Sequence, residues 1–259
     1  MVDAPNILEI RDVVKDFDGV RAVDHCSFQV REGTITGLIG PNGAGKTTLF
    51  NLISGVLRCS SGRILFKGER VDGLAPHGVF RKGIVRTFQI PRELKRMTVM
   101  ENLMVVPSGQ VGERVWGAWL IPWRVNRQER EFEARALGVL DFVNLAHLKD
   151  EYAGNLSVGQ KKLLELARTL MAEPKMVLLD EPGAGVNPSL MNDLVENIRR
   201  SCLERGVTFL LIEHDMNLVM GLCDPVIVMS EGRSIAEGTP QEVQRDQRVL
   251  QAYLGGRSD

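Results

Sequence analysis

Short, continuous apolar runs recur along this chain, and amphipathic segments separate them. The runs lie at 35–39, 176–179, 207–212 and 225–229. Continuous runs of this kind are typical of parallel strands buried on both faces, whereas residues 26–30 alternate as a half-buried strand does. Helical periodicity follows the first run and also begins near residue 157. Strands that alternate with helices predict an α/β fold.

The pattern changes from Pro91 onward, where helical periodicity at 99–106 and 127–143 replaces strand signals. We interpret residues 90–172 as a helical insertion in an α/β core formed by residues 1–89 and 173–259. The insertion contains all three tryptophans, which are Trp116, Trp119 and Trp123. Tryptophan is favoured at protein and membrane interfaces. Local packing of a hydrophobic insertion is the alternative explanation.

A glycine-rich turn joins the first buried run to the first helix. Residues Gly40 to Thr47 match G-x-x-x-x-G-K-[ST], the pattern of a phosphate-binding loop. Glycines let successive backbone N–H groups approach phosphate oxygens, and the new helix adds its positive end. In this interpretation Lys46 reaches the β- and γ-phosphates, Thr47 binds Mg²⁺, and Thr48 donates to an α-phosphate oxygen. A glycine turn with a chance lysine is the alternative.

Polar side chains follow the ends of three other predicted strands. Asp180 and Glu181 end a uniformly apolar run, which places two carboxylates at the carboxyl edge of the sheet. Asp180 could hold Mg²⁺, and Glu181 could orient and deprotonate a water molecule. Gln89 and His214 could also reach a ligand at this edge. A loop amide bonded to the backbone is the alternative for Gln89, and a structural polar cap is the alternative for His214.

Two further features have both a binding and a structural interpretation. Ser157 and Gln160 have the spacing of a helix capping box, and Gly159 would let an anion approach that helix end. An ordinary cap is the alternative. Phe17 lies among polar turn residues, where it could stack on an adenine ring or close the edge of the sheet.

Length, charge and cysteine content disfavour several classes of protein, among them nucleic-acid-binding, disulfide-rich and membrane-spanning proteins. The chain of 259 residues is long enough for one large α/β domain, and its net charge of -1 gives no global attraction to nucleic acid. The four cysteines form no C-x-x-C pair, so we expect reduced, buried thiols. We expect no signal peptide, and no apolar stretch approaches the roughly 20 residues that span a bilayer. Any membrane role is therefore expected to be peripheral.

In combination, these motifs resemble the ATP-binding subunit of an ABC transporter. They follow that family's order: the loop at 40–47, Gln89, LSVGQ at 156–160, LLDEP at 178–182, GVNP at 185–188 and His214. More narrowly, the chain resembles the ATPase subunits of branched-chain amino-acid importers. That resemblance rests on TFQIPRELKRMTVMENL (87–103), the long insertion, LIEHDMNLVM (211–220) and the ending EGTPQEV…LQAYLGG. One position departs from the usual LSGGQ signature, because Val158 replaces a glycine and valine adopts a positive φ only at a cost.

The resemblance implies an α/β P-loop NTPase (RecA-like) core with an antiparallel β subdomain and a helical subdomain. It also implies hydrolysis of ATP with Mg²⁺, in a head-to-tail dimer whose ATP molecules lie between the loop of one subunit and the signature of the other. The catalytic residues would be Gln89, Glu181 and His214. The Mg²⁺ site would be formed by Thr47, Gln89 and Asp180. The nucleotide-binding residues carried over are Phe17, Gly40, Pro41, Asn42, Gly43, Ala44, Gly45, Lys46, Thr47, Thr48, Ser157, Gly159 and Gln160.

The resemblance also implies partners and a location. The helical block would dock on integral membrane transporter subunits, beside a second ATP-binding subunit that is identical or paralogous. A solute-binding protein would be an indirect partner, and no nucleic acid is expected. The chain would lie on the cytoplasmic face of a prokaryotic plasma membrane and power uptake of branched-chain or related amino acids.

Two other functions are kept as alternatives. The first is a lipopolysaccharide-export ATPase, which shares the GTP…YLG ending, but the tryptophan-bearing insertion and EHDM favour the importers. The second is a soluble ABC protein of translation or DNA repair. That class typically carries two ATP-binding modules or a long coiled coil, and we find neither pattern in this sequence.

Overall fold

The computed structural model describes residues 4–87, 93–107 and 122–254. The chain forms two compact units. The first contains residues 1–89, 174–184 and 198–259, and the second contains residues 90–173 and 185–197. The predicted helical insertion ended at residue 172 and left 185–197 in the core, so the second unit gains a segment that the hydrophobic pattern did not assign to it. The division of function between the two blocks stays a prediction.

The secondary structure of the described residues alternates between strands and helices after an initial hairpin. The strands are β1 (Asn6–Phe17), β2 (Val20–Arg31), β3 (Ile35–Ile39), β4 (Ser61–Phe66), β5 (Glu69–Arg70), β6 (Ile84–Arg86), β7 (Met176–Asp180), β8 (Thr208–Ile212), β9 (Val226–Ser230) and β10 (Arg233–Gly238). The helices are α1 (Lys46–Ile53), α2 (Pro76–Lys82), α3 (Val99–Met104), α4 (Pro122–Phe142), α5 (Val158–Met171), α6 (Pro188–Arg205), α7 (Met216–Leu222), α8 (Pro240–Arg245) and α9 (Gln247–Leu254).

The first unit contains a parallel sheet with one antiparallel edge. Its strand order is β10-β9-β3-β8-β7-β6, and neighbouring strands run parallel except for β10 beside β9. β3, β7 and β8 are buried at every residue, as their continuous apolar runs predict. The predicted α/β fold is confirmed.

An antiparallel sheet in the same unit has the order β2-β1-β4-β5. β1 and β2 are longer than the strands that the sequence predicts from the apolar residues at 7–10 and the alternation at 26–30. Irregular positions interrupt the alternation of buried and exposed residues in both strands. Asp12 and His25 have φ of 52° and 49°, and the register of the pair shifts between Ile10 and Val13. Irregularities of this kind break the period of two on which a strand prediction depends.

The helix α1 is fixed against the core of the first unit. Its buried face consists of Leu49, Phe50, Leu52 and Ile53, which pack with buried residues of the strands. Burial of each such side chain stabilises the fold by about 1.5–3 kcal/mol. This packing holds the start of α1 at the carboxyl end of β3.

The second unit is helical over its described residues. The predicted helices at 99–106 and 127–143 are confirmed as α3 and α4, although α3 ends at Met104 and α4 begins at Pro122. α5 buries Leu163, Leu164, Leu166 and Ala167 among others, as its period predicts. The fully buried Asn102 donates from its amide to the carbonyl oxygens of Leu94 and Thr98, so this polar side chain is satisfied.

Sequence analysis did not identify α2, α6, α7 or β10. α6 presents a narrow buried stripe of Leu194, Ile198 and Cys202, spaced by four residues within a largely polar sequence.

The cysteines are free, as expected, but Cys59 is only half-buried, unlike Cys26, Cys202 and Cys223. Among the described residues, no helix combines the length and the apolar character needed to cross a bilayer.

Candidate nucleotide site

The strand order brings three polar strand ends to one edge of the parallel sheet. β8 lies between β3 and β7, and these strands run parallel, so their carboxyl ends lie side by side. β3 leads into the phosphate loop, which we define as residues 40–47. β7 ends at Asp180, and Glu213 and His214 follow β8. The structure therefore brings together the loop, the two acids that end β7 and His214, which are the described residues among those that the sequence singles out.

Backbone carbonyl groups of neighbouring strands and turns lie very close to two glycines of the phosphate loop. A Cβ added to Gly40 would lie 2.0 Å from the carbonyl oxygen of Met229, and one added to Gly45 would lie 2.4 Å from that of Ala22. Glycine is required at both positions, which also have φ of 148° and 95°. Gly45 is the N-cap of α1 and makes no side-chain cap bond, so the first N–H groups of the helix point to a place where an anion is favoured.

Lys46 bonds back to the start of the phosphate loop. Its ammonium group donates to the carbonyl oxygens of Gly40 at 2.7 Å and Pro41 at 2.9 Å. Partial burial lowers the pKa of Lys46, and attraction to Glu181 and Asp180 opposes that shift. The ammonium group and the two carboxylates therefore share one site. A bound phosphate would offer Lys46 a charged acceptor in place of neutral carbonyls.

Asp180 is part of a buried ionic contact that sequence analysis missed. Its Oδ2 accepts from Nη2 of Arg86 at 2.9 Å, and the two side chains are only 12% and 10% exposed. Arg86 ends β6, the neighbour of β7. Its Nη1 donates to Oδ1 of Asn51 at 2.5 Å, and the guanidinium lies 5.7 Å from the ring centre of Phe50. The available signal was a basic residue inside the strand that the sequence predicts at 83–88, just before Gln89.

Glu181 combines a strand-end carboxylate with an unusual backbone. Its φ is 48°, a conformation that costs a non-glycine residue about 1–3 kcal/mol. The Glu181 N–H donates to the carbonyl oxygen of Ile212 at 3.0 Å, which ties this turn to the end of β8. Oε1 of Glu181 lies 3.7 Å from Nδ1 of His214. The His214 side chain is 71% exposed, which argues against the alternative of a structural polar cap.

Glu213 is a second residue that sequence analysis did not assign a role. It is 2% exposed, yet its carboxylate accepts from the N–H groups of Gly183 at 2.9 Å and His214 at 3.0 Å. One buried carboxylate therefore joins the turn after β7 to the turn after β8. The signal in the sequence was a third acid at the end of a continuous apolar run.

The remaining predicted residues of this site have varied exposure. Thr47 is exposed and Thr48 is half-buried in the first turn of α1, while Ala44 is buried and Pro41, Asn42 and Gly43 are at least partly accessible. Phe17 ends β1 with 40% of its surface exposed, and Nζ of Lys15 lies 4.9 Å from its ring centre. Gln89, Trp116 and Trp119 lie outside the described residues, as does the side chain of Trp123.

The signature segment, residues 156–160, lies in the second unit. The predicted capping box is confirmed, since Ser157 Oγ accepts from the Gln160 N–H at 3.3 Å and Gln160 Oε1 accepts from the Ser157 N–H at 2.9 Å. Gly159 is buried, and a Cβ there would lie 2.5 Å from Cδ1 of Leu190. Val158 is the first residue of α5 and has no positive φ. The helical backbone at residue 158 therefore does not require glycine, and valine takes its place there without a positive φ.

The chemistry of the first unit fits a nucleotide phosphate and a hard metal ion. The loop supplies N–H donors and a lysine, which suit phosphate oxygens. Thr47 and Asp180 supply hydroxyl and carboxylate oxygens, which are the ligand types that Mg²⁺ takes alongside substrate phosphates. Glu181 and His214 add a carboxylate and an imidazole at the same edge.

The comparisons with known proteins agree with this geometry. A family model described as ABC transporter matches residues 23–184, and one described as Branched-chain amino acid ATP-binding cassette transporter matches residues 233–259. The chain is 42% identical to the probable branched-chain amino acid transport ATP-binding protein LivG of Archaeoglobus fulgidus, over 97% of this chain and 96% of that protein. It is 41% identical to the high-affinity protein BraF of Pseudomonas aeruginosa, over 96% and 98% of the two chains.

A solved structure extends the agreement to the fold. The ADP conformation of an ATP-binding cassette of an ABC transporter superposes with a TM-score of 0.82, at 38% sequence identity, over 97% of this chain and 100% of that one. A coverage of 97% means that the match includes residues of both units. The chain therefore belongs to the ATP-binding subunits of ABC transporters, in the branch of the branched-chain amino-acid transport proteins.

Proposed function

We propose that this chain is the ATP-hydrolysing subunit of an importer and powers uptake of branched-chain or related amino acids through partner membrane subunits. The observation that carries the proposal is similarity along the whole chain to branched-chain amino-acid transport ATP-binding proteins, which reaches residues 233–259, far from the phosphate loop in sequence. Membership of the ABC family makes the chain an ATPase. This similarity favours the importer over the export ATPase and the soluble ABC protein.

The phosphate loop and the end of β7 would hold MgATP. Lys46 would exchange its two loop carbonyls for the β- and γ-phosphates, and Thr48 would donate to the α-phosphate. Thr47, Asp180 and, by resemblance, Gln89 would attend Mg²⁺, which supplies positive charge to the phosphates when it is bound. Phe17 would stack on adenine. Backbone N–H groups complete the proposed cradle, from Gly40, Asn42, Gly43, Ala44 and Gly45. Pro41 has no N–H to donate and would only shape the loop.

Glu181 is the proposed general base. Its constrained backbone and its contact with Ile212 fix the start of the side chain at the edge where the phosphate loop begins. A carboxylate in this place can orient a water molecule and accept its proton. His214, 3.7 Å from Glu181, would hydrogen-bond to the γ-phosphate that this water attacks.

A second subunit would complete the site. In the proposed dimer, Ser157, Gly159 and Gln160 act in trans on the partner's nucleotide. The capping box supports this assignment only in part, because it shows that the segment starts a helix, whose N-terminal end favours an anion. Whether the partner is an identical chain or a paralogue is a choice that the mixing experiment below decides.

The proposed setting is the cytoplasmic face of a prokaryotic plasma membrane. Integral membrane subunits would carry the solute, with a solute-binding protein as an indirect partner, and the helical unit would dock on the membrane subunits. Affinity purification of the tagged chain from membranes, without crosslinker, tests this assembly. Co-purification of integral membrane subunits is expected for wild type and for Lys46→Ala, which should lose only nucleotide binding. Purification of the chain without any membrane protein would support the soluble alternative.

A further inference from the structure

Arg86 connects three elements of the nucleotide site. It ends β6, it pairs with Asp180 at the end of β7, and it bonds to Asn51 on α1. Asn51 lies five residues after Lys46, on the same helix that starts at the phosphate loop. The guanidinium carbon lies 5.7 Å from the ring centre of Phe50. One side chain therefore fixes the position of the Asp180 carboxylate relative to the helix that would carry the phosphates.

Stability alone is a weak reason for such a contact. Both side chains are at least 88% removed from water, as their exposures of 10% and 12% show. The cost of desolvating two buried charges commonly offsets their attraction, so a well-packed apolar pair would stabilise the fold as well. A forked guanidinium does what an apolar side chain cannot, since it orients a carboxylate and a side-chain amide at the same time.

We propose that Arg86 is a positioning residue, which orients Asp180 toward the Mg²⁺ that accompanies ATP. The role rests on the proposed function, because it needs Asp180 to face the metal. Residues that orient a metal-facing group commonly change metal affinity about 10–100-fold when they are replaced. Arg86→Lys is the informative substitution, since it keeps the positive charge near Asp180 but loses the fork that reaches Asn51 and Asp180 together.

The experiment measures affinity for a non-hydrolysable ATP analogue in excess Mg²⁺ and in EDTA, by calorimetry on the full chain. The dissociation constant in EDTA divided by the dissociation constant in excess Mg²⁺ reports the metal-dependent part of binding. For Arg86→Lys we expect this ratio to fall about tenfold, with affinity in EDTA unchanged. Asn51→Ala removes the shorter of the two bonds from the guanidinium to α1 and its C-cap Ser54, and it keeps the ion pair with Asp180. It should move the ratio in the same direction and less.

Arg70→Lys is the matched control. Arg70 forms a forked pair with Asp72, whose side chain is 6% exposed, in the antiparallel sheet of the same unit. The variant Arg70→Lys should leave the ratio of the two dissociation constants unchanged. If Arg86→Lys and Asn51→Ala lower only the melting temperature and leave the ratio at its wild-type value, Arg86 is merely structural and the proposal is wrong. If Arg86→Lys does not fold, Asn51→Ala decides alone. Wild-type protein that binds no nucleotide, or binds it without regard to Mg²⁺, would instead overturn the proposed function.

Discussion

At residue 181, a strand-end carboxylate coincides with a left-handed backbone. Glutamate has no intrinsic preference for φ near 48°, so the surrounding structure must hold Glu181 there. The contact with Ile212 provides part of that constraint. A base that is held in place by its backbone can meet a water molecule without first losing conformational freedom. We therefore expect hydrolysis to depend on Glu181 more than on any other side chain of the site.

Glu181→Gln is expected to bind MgATP with wild-type affinity and to hydrolyse it at least about 100-fold more slowly, because the amide cannot accept the proton of water. Phosphate release and nucleotide binding measure the two effects. Glu173→Gln is a suitable control, since Glu173 also has a positive φ but lies in the second unit and is largely exposed. Turnover of Glu181→Gln close to wild type would remove Glu181 from the role of base.

Glu213 connects two turns through buried hydrogen bonds, so its replacement should lower the stability of the fold. Replacing it by alanine leaves the N–H groups of Gly183 and His214 without their buried acceptor. We expect the free energy of unfolding to fall by about 1–3 kcal/mol, measured by urea denaturation. Asp215→Ala, which removes an exposed cap from α7, is expected to cost no more than about 1 kcal/mol. Equal losses for the two variants would contradict the joining role of Glu213.

At the scale of elements, α5 depends on the small size of Gly159. A methyl group there would overlap Leu190 at 2.5 Å, so Gly159→Ala should destabilise the second unit by about 1–3 kcal/mol even without nucleotide. Leu190→Ala should recover part of that loss in the double variant, which a double-mutant cycle would detect. Additive losses would show that the two residues do not compete for the same space.

Substitutions at the start of α5 test whether the signature segment acts on the nucleotide of the partner subunit. Ser157→Arg is expected to leave nucleotide binding by the isolated subunit nearly unchanged and to abolish hydrolysis, because the large cation blocks closure on the partner. Ser157→Ala removes the hydroxyl but leaves the space open, so it should lower hydrolysis less than Ser157→Arg does. In a homodimer, mixing Ser157→Arg with Lys46→Ala should restore activity through one intact composite site. Loss of nucleotide binding by Ser157→Arg alone would assign Ser157 to its own subunit's pocket.

The elements that could be predicted are those whose burial produces a simple period. The run at 35–39 gave β3 at its true bounds, and Ser157 with Gln160 gave the start of α5. α6 was missed because its buried stripe is narrow, and β1 was shortened because Asp12 interrupts its alternation. Arg86 and Glu213 were missed because their roles depend on partners such as Asn51 and Gly183, which are distant in sequence.

At the scale of the whole molecule, one chain supplies a nucleotide site in its first unit and a signature segment in its second. Asp180, Glu181 and the phosphate loop belong to the first unit, and Ser157 with Gly159 to the second. Neither set completes the proposed chemistry alone, which is consistent with a subunit that works within an assembly. The comparisons favour a transporter of branched-chain amino acids as that assembly.

The most direct test of this account is uptake of radiolabelled leucine, isoleucine and valine by cells that lack the gene. We expect uptake of at least one of these amino acids to be lost on deletion and restored by the wild-type chain. Glu181→Gln should not restore uptake, although it should still assemble with the membrane subunits. Unchanged uptake of all three amino acids after deletion, with outer-membrane lipid assembly impaired instead, would contradict the importer assignment and support the export ATPase.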